Sequence, residues 1–207
     1  MTRQQITFSL AGFTAGIIAV AAGRESLWVL TAGVGPLFFL AILAAIAFTG
    51  AWPHVRRGFW RYMLAACAST MAYVLALLTF WWLGGYLQSL LGTNGSNDLS
   101  EFRLDMWVGL IAAALIAAVC IELMAYILTG KWNNTVLARL VGAGILAIVM
   151  TFIAMRAVRS TGNLPPPLYY WSFFGILFSF GEALFCGLVG AQIWGTSQPQ
   201  QQTVPAT

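Results

Sequence analysis

Charge is what this 207-residue chain has least of: charged residues make up 8% of it, against about a quarter in soluble domains. A water-facing surface cannot be built from so few charges, so a soluble globular fold is excluded. Histidine is scarcer still. With His54 alone, bis-histidine haem ligation is excluded, and a metal site would lack the several ligands it needs. The three cysteines, Cys67, Cys120 and Cys186, fall inside apolar runs with no CxxC spacing, so neither a disulfide framework nor a zinc site is expected. They read as free thiols serving as small apolar side chains. No nucleophile elbow, phosphate-binding glycine loop, HExxH helix or paired aspartate site is found, which makes enzyme function the weakest class. No cofactor and no metal are expected.

What the chain has instead is apolar length. Apolar residues make up 60% of it. They concentrate in six runs: Ile6 to Gly23, Leu27 to Thr49, Phe59 to Leu83, Met106 to Leu128, Val136 to Met155 and Leu168 to Trp194. About 20 mainly apolar residues cover the roughly 30 Å of bilayer hydrocarbon. The fold class is therefore all-α, a polytopic bundle of six transmembrane helices with short loops. One membrane domain over residues 1–195 is expected, followed by a disordered cytoplasmic tail over 196–207 that lacks apolar content. Arg3, an apolar run and small residues at Ala19 to Gly23 also fit a signal peptide, with cleavage the alternative to a first span. A second span follows after only Arg24-Glu25-Ser26, which favours a retained helix.

Basic residues set the orientation. Arg3, Arg56, Arg57, Arg61, Lys131 and Arg139 fall on one side of the spans, and Arg24, Arg103, Arg156 and Arg159 on the other. The positive-inside rule then places both termini in the cytoplasm, in the cell (inner or plasma) membrane. The formal charge of +4 reflects these span ends, so no nucleic-acid partner is expected. All nine tryptophans lie at or near span ends and read as aromatic belts at the two surfaces. His54, beside the arginine cluster, is expected among lipid headgroups. Arg24-Glu25 reads as a local surface charge pair.

Three connections carry local signals. Asp98-Leu99-Ser100-Glu101 resembles a capping box, predicting a short interfacial helix near 98–105 on the outer surface. Asn94-Gly95-Ser96 matches a glycosylation sequon, read as accidental. Pro165-Pro166-Pro167 predicts a stiff extended entry to the last span. Residues 45–52 and 125–132 share the pattern Thr-Gly-x-Trp at the end of a span, at Thr49-Gly50-Ala51-Trp52 and Thr129-Gly130-Lys131-Trp132. A duplicated two-helix unit would produce it. A glycine helix cap followed by a belt tryptophan, used twice, is the preferred account.

Two ionisable residues remain within the hydrocarbon, and they are the candidate binding or proton-relay residues. Glu182 lies near the middle of the sixth span, and Glu122 about two turns from the cytoplasmic end of the fourth. A carboxyl at such depth costs a few kcal/mol, so each is expected to face the bundle interior and to hold its proton. The alternative is a neutral acid hydrogen-bonded to a neighbouring helix. Were the two helices neighbours, the pair would form a stepped acidic path toward the cytoplasm. No basic residue lies deep enough to neutralise either one. Pro36, within Gly33-Val34-Gly35-Pro36, marks a helix kink or break, with packing preferred over ligand binding as its purpose.

Small residues recur every four positions at Ala11, Ala15, Ala19 and Gly23, at Ala68, Ala72 and Ala76, at Gly109, Ala113 and Ala117, and at Ala183, Gly187, Ala191 and Gly195. Such stripes let helix backbones approach closely, within the bundle or against other membrane subunits. Size, six spans and the Ala11-Ala15-Ala19 stripe faintly resemble the substrate-binding components of energy-coupling-factor vitamin transporters. That likeness rests on one generic motif and reaches no ligand-binding motif of the family. The function expected first is a small transporter or substrate-binding membrane subunit using an intramembrane carboxyl group. A non-catalytic accessory subunit of a larger membrane complex is the alternative, and a membrane-embedded lipid enzyme comes third. The lipid bilayer is a partner in every case.

Overall fold

The computed structural model describes residues 2–22, 27–91, 104–161 and 166–195, with side chains described at 2–22, 33–90, 106–157 and 173–195. Six α-helices follow one another: α1 (Arg3–Ala22), α2 (Leu27–Thr49), α3 (Phe59–Leu91), α4 (Leu104–Thr129), α5 (Asn134–Thr161) and α6 (Pro166–Gly195). A single 3-10 turn, Trp52–His54, sits between α2 and α3, and no strand occurs among the described residues. Five of the helices are long and apolar enough to cross a membrane. The sixth, α2, has 23 residues, of which Gly33–Thr49 form the apolar stretch with described side chains.

Each helix packs against the next in the chain, and α6 returns against α1, closing a ring. α6 additionally touches α2 and α4, so it is the helix most enclosed by the others. The core is apolar, centred on Phe8, Phe38, Ile42, Ile121, Met124 and Ile193. The outside is apolar as well: Leu10, Phe48, Leu64, Leu78, Leu146 and Ile153 all stand exposed. A protein apolar on both faces of its helices is solvated by hydrocarbon, and this bundle is compatible with an integral membrane protein. Five threonine hydroxyls inside the helices are satisfied locally. Thr14, Thr49, Thr70, Thr129 and Thr151 each donate to the carbonyl four residues back, at 2.7–2.9 Å.

The helix ends differ from expectation in several places; α5 runs on to Thr161, past the expected Met155. α3 runs through Gly84-Gly85 to Leu91, well past Leu83, because in a chain poor in water-facing loops an intact helix keeps its backbone groups paired. Pro166 and Pro167 do not form an extended lead-in. They occupy the first turn of α6, where a helix needs no proline N–H. Leu104 and Asp105 begin α4 itself, and the remainder of the interfacial helix expected near 98–105 lies outside the described residues, as do Arg24-Glu25, the sequon and the tail.

The two Thr-Gly-x-Trp segments are helix caps. Gly50 and Gly130 both take positive φ, 69° and 75°. At Gly50 the glycine N–H bonds to Ala47 O and the Ala51 N–H to Ile46 O, a Schellman pair. At Gly130 a single bond runs to Tyr126 O, the simpler left-handed cap. Arg56 ties the two caps together, donating its N–H to Leu128 O at 2.7 Å and resting its guanidinium against Gly130. The half-buried His54 ring packs on Trp194, 5.0 Å between centroids. Arg3, Arg56, Arg57, Arg61, Lys131 and Arg139 are all exposed at this same end of the bundle.

Pro36 lies inside an α2 that remains one continuous helix. Next to it Gly35 meets α3 so closely that an added Cβ would strike Thr70 Cα and come within 2.8 Å of Ser69 O. Ser69 Oγ donates to the Gly35 carbonyl at 2.7 Å, joining the two helices there. Of the cysteines, all free, only Cys186 is buried; Cys120 is half-buried and Cys67 faces outward.

Candidate functional site

A buried carboxyl lies part-way along α6. Glu182 sits 16 residues from the start of the helix and 13 from its end, and it is 1% exposed. It reaches the centre because α1 leaves room for α6 to lie against it. Gly12 touches the Glu182 backbone, and a Cβ at Gly12 would strike the Glu182 carbonyl and sit 2.8 Å from Cys186 Sγ. One turn on, a Cβ at Gly16 would lie 2.7 Å from Ser179 Cα. Toward the other end Gly187 meets Ser9, and Gly190 meets the Phe8 ring. The α1–α6 seam is thus a run of glycines on both helices, the geometry in which backbones approach closest.

Neither Glu182 oxygen has a hydrogen-bond partner. Tyr73, on α3, is also buried with its hydroxyl unpartnered, and it lies within electrostatic reach of Glu182, as does Cys186. The Tyr73 ring is held between Phe38 of α2 and Phe178 of α6, at 5.9 and 6.1 Å between centroids. Glu182, Tyr73 and Cys186 therefore form a polar group inside an apolar, close-packed interior, contributed by α3 and α6 and backed by α1. Leaving such groups unpaired costs about 1–3 kcal/mol each. What the arrangement offers is a carboxyl able to exchange a proton or accept bonds from a ligand, beside a phenol that can donate or accept.

Glu122 is placed differently. It is fully buried, but one of its oxygens is well used. Oε1 accepts the Asn133 N–H at 2.9 Å and the Gln192 amide at 3.0 Å. The same Gln192 nitrogen donates to Lys131 O, also at 3.0 Å. Asn133 in turn caps α5, its Oδ1 accepting the N–H groups of Thr135 and Val136. Glu122 thus fastens the α4–α5 connection to α6. Its Oε2 and the Gln192 Oε1 remain unpartnered.

The two expected site residues come to the same helix without coming together. Glu122 meets α6 at Gln192, ten residues from Glu182, about 15 Å along the axis. Tyr73 and Gln192 were not among the expected site residues. Gln192 was legible, since an amide inside an apolar span is as costly as it is rare. Tyr73 was hidden, because a tyrosine in a span carries no charge to mark it. Among the described residues no group of three or more metal-binding side chains occurs. Comparison with protein families, with curated proteins and with solved structures gives no match to this chain.

Proposed function

We propose that the chain is a multi-pass transport component of the cell membrane, with both termini cytoplasmic, in which the Glu182 carboxyl is the exchangeable site. The observation that carries this reading is a mid-helix carboxyl, buried inside the bundle, with both oxygens unpartnered among the described residues. Intramembrane acids are costly and mark proton relays, cation sites or substrate amines. Tyr73 is the neighbouring donor that would orient a ligand or pass a proton. Orientation rests on the six exposed basic residues at the end of the bundle that holds the two glycine caps. Residues 1–195 act as one domain in this reading.

The small-residue stripes lend less support to the accessory-subunit alternative. Ala15, Ala19, Ala68, Ala72, Gly109, Ala113, Ala117 and Gly187 are all buried within the bundle, so they are spent on its own packing.

The test uses the full chain reconstituted in liposomes, with a pH gradient imposed and a mixed small-solute pool outside. Mass spectrometry of the lumen should find at least one solute accumulated by wild type and left behind by Glu182→Gln. A hydrophobic carbodiimide should form one adduct, on Glu182. Accumulation by Glu182→Gln equal to wild type would remove the carboxyl from the mechanism.

A further inference from the structure

The connection between α2 and α3, with the first turn of α3, carries Arg56, Arg57 and Arg61, all exposed. It is held in place. The Arg56 N–H is bonded to Leu128 O at 2.7 Å, which pins the connection to the end of α4. The Arg56 guanidinium lies over Gly130, next in the chain to the exposed Lys131. Arg61 lays its stem beside Gly58, where an added Cβ would sit 4.0 Å from both Arg61 Cγ and Arg61 Cδ. Its side chain therefore runs back toward the connection and the bundle end, as a basic residue near a membrane surface does. Among the described residues no carboxyl meets any of these four basic groups. Glu122, the acid on α4 near this end, is buried and turned to Asn133 and Gln192.

Beside these charges the surface is apolar. Phe59, Trp60, Met63 and Leu64 stand exposed on the first two turns of α3, and Met71 and Leu78 continue the same face along the helix. From this meeting of uncompensated arginine with a lipid-facing apolar stripe, we infer that the α2–α3 edge selectively binds an anionic phospholipid. Its phosphate lies against the arginines, and its acyl chains run along α3. Guanidinium groups match phosphate oxygens in pairs, and basic groups just outside a span attract acidic headgroups. Trp60 marks the headgroup level, since an indole prefers that layer. A free phosphate would meet the same arginines but gain nothing from Phe59, Trp60, Met63 and Leu64. A bound lipid would brace the α2–α3 connection against the end of α4. The site is separate from Glu182, and it stands or falls without the transport reading or the orientation.

Native mass spectrometry tests it on the full chain, delipidated in detergent and given equal amounts of phosphatidylglycerol and phosphatidylcholine with identical acyl chains. Wild type should retain phosphatidylglycerol in clear excess. Arg57→Gln and Arg61→Gln should each cut that excess by about fivefold, the worth of one basic residue near a charged surface. Arg156→Gln removes one exposed charge 22 residues along α5 from Asn134, about 33 Å toward the opposite end, and should keep the excess. Equal retention of the two lipids by wild type would overturn the inference, and this comparison needs no variant. A loss in Arg156→Gln as large as in Arg57→Gln would overturn it too, since the preference would then follow net charge alone. Displacement of phosphatidylglycerol by millimolar inorganic phosphate would assign the arginines to a free anion and likewise overturn it.

Discussion

Gly12→Ala is the substitution on which the architecture of the site depends most directly. Alanine is the better helix former, so at a free position the change stabilises by about 0.4–1 kcal/mol. Gly12 is not free. Its new Cβ would strike the Glu182 carbonyl and approach Cys186 Sγ to 2.8 Å, and the carbonyl is backbone that cannot rotate away. α1 must then move off α6, along a seam that also relies on Gly16, Gly187 and Gly190. Overpacking of this kind costs about 1–3 kcal/mol. At about 2–4 °C per kcal/mol for a chain of this size, the unfolding midpoint in detergent should fall by about 2–12 °C. Gly142→Ala on α5 is the control, because nothing lies within 4 Å of its would-be Cβ and the residue is exposed. It should hold or raise the midpoint. A Gly12→Ala protein as stable as the Gly142→Ala protein would refute the close α1–α6 seam, and with it the burial of Glu182.

The two glycine caps should respond alike. Gly50→Ala and Gly130→Ala each force a left-handed backbone on a side-chain-bearing residue, for a loss of about 1–2 kcal/mol read from the unfolding midpoint. The Arg56 guanidinium against Gly130 is flexible and exposed, so it should add little; a Gly130→Ala loss several times that of Gly50→Ala would contradict this. Asn133→Ala removes the cap of α5 while leaving its own N–H bonded to Glu122. It should cost about 0.5–2 kcal/mol, with hydrogen exchange rising at Thr135 and Val136. Unchanged exchange there would mean that the side chain does not cap the helix.

How much of this was legible in the sequence differs from feature to feature. The helices were, because apolar runs of 18 or more residues leave few alternatives when backbone groups must pair internally. The caps were too: Thr-Gly-x-Trp reads as a helix end because glycine alone takes positive φ freely. The seam was legible in part. Spacing drew attention to Ala15 and Ala19 of α1, which are buried, and to Gly187 of α6, which meets Ser9, but not to Gly12, Gly16 and Gly190. A four-residue repeat states that a close face exists, but several registers satisfy it in a helix this rich in small residues.

The sequence alone determined the solvent of this protein, and with it the cost of each acid inside a span. Scarce charge and long apolar runs are local properties, and they survive any packing arrangement. Only the tertiary structure decided what each acid does with that cost. It gave Glu122 two donors from a loop and a neighbouring helix, and left Glu182 with none. Hydrogen-bond partners 11 and 70 residues distant from Glu122 are set by how helices assemble, and no local pattern encodes them.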